Sequence, residues 1–194
     1  MALDFLTVVV SLFVIVNPFV SIPVLISFYK EEFKQRKAAL DASVAAFLIL
    51  IVFSIFGLTI LNLMGISISA FMIAGGIMLM ALGLEFLYGE LPRTRHVVKD
   101  PAEVIVPVGT PLLAGPGAIT SSIYFSATYG LVNTLAAIVV VMFLSFLFLY
   151  SSSRIAKHLG RNGLRILTRI MGILTAAVAI SLIEKALTIY GVIG

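Results

Sequence analysis

Charge along this chain is confined to short clusters, and between them lie four uncharged, largely apolar runs: Phe5 to Tyr29, Ala42 to Leu84, Val104 to Ser153 and Ile170 to Ile183. A hydrocarbon layer of roughly 30 Å takes about 20 helical residues, so the first run is one span and the second and third are long enough for two each. The fourth extends on either side, with Arg169 able to snorkel and ALTIYGVIG following Lys185. GISIS at Gly65 to Ser69 divides the second run, and YGLVN at Tyr129 to Asn133 divides the third. Six helices are predicted, near residues 3–29, 39–64, 69–88, 104–128, 132–153 and 166–189. A secretory signal is the competing reading of the first, but that needs a basic start and the early charge here is Asp4.

Composition agrees with lipid as the solvent. Hydrophobic residues make up 61% and charged residues 11%, with a mean hydropathy of +1.18, whereas a soluble domain carries about a quarter charged. The chain has no cysteine, which removes disulfides, thiolate metal sites and thiol nucleophiles. A net charge of +4 would admit nucleic acid as a partner, but 12 of the 13 basic residues fall in the connections after helices 1, 3 and 5. That alternation is topological. It predicts the three basic connections on the cytoplasmic side of a plasma membrane and both termini outside. Tyr29, Tyr88, Tyr129, Tyr150 and Tyr190 fall at predicted helix ends, where an aromatic belt belongs.

Two helices are wrong as plain spans. Helix 1 contains NPFVSIP, with Pro18 and Pro23 at mid-span, and helix 4 contains PVGTPLLAGPGAITSS. Each proline removes an amide donor and crowds the preceding turn, so both helices are expected to break. Single prolines commonly just kink membrane helices. Here the breaks are paired, because Pro18 and Pro116 are 98 residues apart in a chain of 194 and three helices precede the second. The expectation is an inverted-topology repeat, residues 1–97 and 98–194, with AGGI at Ala74 to Ile77 echoed by IMGI at Ile170 to Ile173. Non-helical backbone at depth must line a cavity or be buried in protein, which places a polar site at the breaks. Free amides at a helix start suit a carboxylate and free carbonyls at a helix end suit an ammonium group. The surrounding residues are Asn17, Pro18, Ser21, Ala114, Gly115, Pro116, Gly117, Ala118, Thr120 and Ser121. They are small or neutral and match a small zwitterion.

PLLAGPGAI at Pro111 to Ile119, NPFVSIP, IAGGIMLM and RIMGILTAAVAI together resemble the MarC family of membrane proteins over nearly the whole chain. The resemblance implies transport. The family includes archaeal carriers of small neutral amino acids such as glycine and alanine, and bacterial members once linked by name to antibiotic resistance. Where many members have a glycine two residues after the helix 1 proline, this chain has Val20. Glu85, near the end of helix 3, is the acid the resemblance supports for coupling to protons. No cofactor or metal is expected. An exporter of other small metabolites or drugs, a channel and a structural membrane protein stay open as alternatives, whereas an enzyme is not expected because GxSxG, HExxH and paired intramembrane acids are all missing.

Overall fold

The computed structural model describes residues 2–29, 31–88 and 113–192, which are helical throughout with no strand. Seven helices follow in order: α1 (Ala2–Val16), α2 (Pro18–Phe28), α3 (Glu32–Leu63), α4 (Ile68–Tyr88), α5 (Pro116–Tyr129), α6 (Leu131–Tyr150) and α7 (Ser152–Ile189). Five segments are long and apolar enough to cross a membrane: Leu3–Ile26, Glu32–Leu63, Ile68–Tyr88, Leu131–Tyr150 and Asn162–Ile189. The span expected over 104–128 is described from residue 113 onward, as the 14-residue α5, and its first half lies outside the described residues.

Local sequence explains the boundaries. Asn17 separates α1 from α2, and Pro18 opens α2, where a missing amide hydrogen is harmless. Pro23, by contrast, was expected to break the chain and lies inside α2 instead. It forfeits one hydrogen bond, which the remaining turns of the helix tolerate. α3 ends in a Schellman turn at Gly65 (φ 68), with Ile66 N–H bonding Leu61 O at 2.9 Å and Gly65 N–H bonding Asn62 O at 3.1 Å. The same turn recurs after α7 at Gly191 (φ 72).

Two helices begin earlier than their apolar runs. α3 starts at Glu32 rather than near 39, because EFKQRKAALD contains no breaker, Glu32 favours the first turn and Arg36 pairs with it at 3.7 Å. α7 starts at Ser152, so the stretch taken as a basic loop is helical. Ile155 and Leu164 pack it against the core, and the break falls at Gly160 (φ 62, ψ −178).

Packing sorts the helices into an inner and an outer set. In the first span 56% of the most apolar window is buried, against 28–33% in the other four, so α1 and α2 lie inside. α5 is enclosed by α1, α3, α4 and α6, and Gly117, Ala118 and Thr120 to Phe125 are all buried. Leu48, Val52, Val139, Phe143, Ile173 and Ile180 face outward as a lipid-exposed surface.

The most extensive contact joins α4 to α7. Three glycines, Gly76, Gly83 and Gly172, make it possible. A methyl group on Gly83 would lie 2.9 Å from both Ala176 N and Gly172 O, and one on Gly172 would lie 2.8 Å from Gly83 O. One on Gly76 would lie 3.1 Å from Ala179 O, whereas Gly75 faces α5 and receives the Thr120 side chain. Small residues thus let the two backbones touch, as is usual where lipid supplies no hydrophobic drive.

The two ends of the bundle differ in chemistry. At one end Gln35, 4% exposed, donates to Tyr29 O at 2.6 Å and accepts from Ser153, while Lys157 reaches Glu32 at 3.5 Å. Arg36 lies over the Tyr150 ring, 4.8 Å from its centroid. Burial first, and then the negative charge of Asp41, raises the Tyr29 phenol above its ordinary value and keeps it neutral. At the other end the hydroxyls of Ser67 and Tyr190 lie 2.8 Å apart. Because the chain lacks cysteine, sidedness is directly testable. A cysteine at Ser67 should react with an impermeant maleimide added to intact cells and one at His158 should not, and the reverse would invert the orientation read from the basic residues.

Candidate functional site

Asn17 is the one described residue other than glycine with a positive φ (φ 45, ψ 66). Asparagine tolerates this left-handed conformation better than most residues. Its main chain is satisfied, with N–H bonding Phe13 O at 3.0 Å and its carbonyl accepting from Val20 N at 3.3 Å. The side chain is not. It is 3% exposed, and neither Oδ1 nor Nδ2 has a partner. Each buried polar group left unpaired costs about 1–3 kcal/mol, which makes Asn17, with two such atoms, the most under-satisfied buried side chain among the described residues.

Seven described hydroxyls share that condition, those of Ser21, Ser43, Ser54, Ser121, Ser126, Ser145 and Ser152, and on α2 and α5 the fully buried ones are Ser21 and Ser121. Ser21 lies one turn beyond Asn17 on α2, fully buried, with Oγ unpartnered. Ser121 on α5 is also fully buried and unpartnered. Thr120, expected beside it in the site, spends its hydroxyl on Pro116 O at 2.8 Å and nests against Gly75. Gly117 turns its bare Cα toward Leu79 of α4, so the room it provides is taken by a leucine.

The other expected residues frame the two helix starts. Pro18 and Pro116 occupy the first positions of α2 and α5, and Gly115 caps α5 in an extended conformation (φ −66, ψ 170). Ala114 and Ala118 are buried. α1 packs against α5, but no hydrogen bond joins Asn17 or Ser21 to Thr120 or Ser121 among the described residues. Glu85 is partly exposed in the last turn of α4, away from these groups in sequence and with no ion pair among the described residues.

Side chains that sequence reading passed over complete the surroundings. Phe13 and Phe19 bracket Asn17 and close on Phe148 of α6, with ring centroids 5.9 Å apart for Phe13–Phe19, 5.9 Å for Phe13–Phe148 and 4.7 Å for Phe19–Phe148. Their placement on both sides of an Asn-Pro step was the available signal. On α5, Tyr124 lies one turn beyond Thr120 and Ser121, and the ammonium group of Lys185 sits 5.5 Å from its ring centroid. Among the described residues no cluster of His, Asp and Glu could hold a metal ion.

A helical bundle with several spanning segments, an outward apolar surface and a buried neutral polar centre defines a polytopic integral membrane protein. The sequence profile of MarC family integral membrane proteins matches residues 3–190, and the chain belongs to that family. A UPF0056 membrane protein of Aquifex aeolicus is 36% identical, covering 94% of this chain and 92% of its own. One from Methanocaldococcus jannaschii is 34% identical, covering 91% and 92%, and YhcE of Escherichia coli is 35% identical, covering 90% and 87%. No solved structure gives a significant match.

Proposed function

We propose that this MarC protein is a secondary transporter of small neutral amino acids, glycine and alanine foremost, in the plasma membrane, and not an enzyme. The observation that carries the reading is the buried Asn17 carboxamide, with donor and acceptor both free beside the start of α2. One amide can offer its oxygen to an ammonium group and its NH₂ to a carboxylate. The positive end of a helix adds to the second, and a neutral pocket refuses a charged side chain.

In this reading the chain crosses the membrane six times as two inverted three-helix repeats, residues 1–97 and 98–194, with helices 1 and 4 interrupted and both termini outside. Two regularities support the repeat. Gly76 and Gly172 are 96 positions apart, as are Gly83 and Ala179, and Gly76 packs on Ala179 while Gly83 packs on Gly172. Exchanging the halves therefore returns the same contacts. In α3 and α6, buried Ala39, Ala42, Ser43, Ala46, Leu50 and Ser54 each have a buried counterpart 95 positions on, from Thr134 to Leu149. The residues differ and the buried stripe is the same.

The test is uptake of labelled glycine, alanine, leucine and lysine into liposomes holding the purified protein, with and without an imposed proton gradient. Glycine and alanine should accumulate at least about tenfold faster than leucine or lysine, a difference worth roughly 1.4 kcal/mol. Stimulation by the gradient would support coupling through Glu85. Uptake no greater than in empty liposomes would overturn the assignment.

A further inference from the structure

Lys185 is the basic residue that the three basic stretches leave out. It lies one turn from the end of α7, remote from Arg154 and Lys157, and its side chain is partly buried. An ammonium group set against a membrane-spanning bundle normally pairs with an acid. Here no carboxylate pairs with it among the described residues, and Glu184, its neighbour in sequence, is exposed about 100° further round the helix. What holds Lys185 is the face of Tyr124, at 5.5 Å. An aromatic face positions a cation without neutralising it.

Tyr124 belongs to the same face of α5 as Thr120 and Ser121, because residues three and four apart in a helix are neighbours. The ring that holds the positive charge thus springs from the helix about one turn from the unpartnered Ser121.

We propose that Lys185 recognises the substrate carboxylate at the mouth opposite the basic connections, capturing it before it passes to the start of α2. This inference rests on the proposed transport of amino acids. It adds a rule of selection, since a solute must carry a carboxylate as well as an amine. Tyr124 serves as a positioning residue that keeps the ammonium group over the entrance.

The experiment measures glycine uptake by intact cells that lack other glycine carriers, comparing wild type with Lys185→Met, Lys185→Arg and Tyr124→Leu. Glycinamide, which has the amine and lacks the carboxylate, is the competitor. Lys185→Met should raise KM about tenfold with Vmax held within about twofold, the loss expected for one charge-assisted contact. Lys185→Arg should stay within about threefold of wild-type KM, because it keeps the charge. Tyr124→Leu should fall between them. Glycinamide should compete weakly against wild type and better, relative to glycine, against Lys185→Met. A Lys185→Met protein with wild-type KM and the same discrimination against glycinamide would overturn the inference while leaving transport intact. So would a fall in Vmax alone, which marks a structural role. If wild type takes up no glycine, the proposed function fails and this inference fails with it.

Discussion

Asn17→Leu should reduce glycine uptake to about a hundredth of wild type or less while the protein still accumulates in the membrane. On the proposed function the substitution removes a donor and an acceptor for the ligand, and losses of about 1–3 kcal/mol for each compound to a large fall in affinity. Stability changes less, because two opposing effects meet at this position. Leucine removes two buried unpaired groups but must adopt a left-handed conformation that costs a branched side chain about 1–2 kcal/mol. Asn17→Gly separates the two contributions. Glycine accepts φ 45 freely, so the break between α1 and α2 survives while the amide is lost. Both variants should therefore fail in transport, and Asn17→Gly should match wild type in thermal stability. Uptake normalised to membrane protein is the measurement. Near-normal transport by Asn17→Gly would mean that the bend matters and the carboxamide does not.

The seam between α4 and α7 should be the least tolerant part of the bundle. At Gly83 an added methyl group would meet main-chain atoms at 2.9 Å, and main chain cannot rotate out of the way. Overpacking of this kind costs about 1–3 kcal/mol, so Gly83→Ala should melt several degrees below wild type in detergent, and Gly83→Leu should not assemble. Gly172→Ala should behave likewise, and because the two sites touch, the double variant should lose less than the sum. Gly65→Ala is the control. It has open space around it and a positive φ of 68°, so it meets strain without crowding. If Gly83→Ala melts with wild type, the seam is not holding the bundle together.

Much of this fold is legible in sequence because lipid leaves few alternatives. Five of the expected spans correspond to long apolar helices, and the Asn-Pro step announced the turn at Asn17. The early starts of α3 and α7 were hidden because clustered charge was read as loop, although EFKQRKAALD and SSRIAKHL contain nothing that stops a helix. Pro23 runs the other way, since at the middle of the eleven-residue α2 it removes one main-chain bond and the helix continues past it. Within the site, sequence identifies small and polar residues but cannot say what faces them. The side chain that faces Gly117 is Leu79, 38 positions earlier in the chain. The correspondence of α3 with α6 was invisible to residue matching, because Ser43 answers to Ile138 and Leu50 to Ser145 with only their burial in common.

The break at Gly160 bears on how movement spreads through the protein. An unbroken α7 of 38 residues would be a rod of roughly 57 Å, and tilting its membrane part would sweep the far tip through a wide arc. Gly160 divides that rod into a short arm, residues 152–159, and a long spanning arm, residues 161–189, joined at a non-helical residue. The first arm carries Ser153 and Lys157, which hold Gln35 and Glu32, and so stays fastened to α3. A tilt of the spanning arm would therefore be taken up at Gly160 instead of being amplified by leverage, and would leave the polar contacts at that end intact.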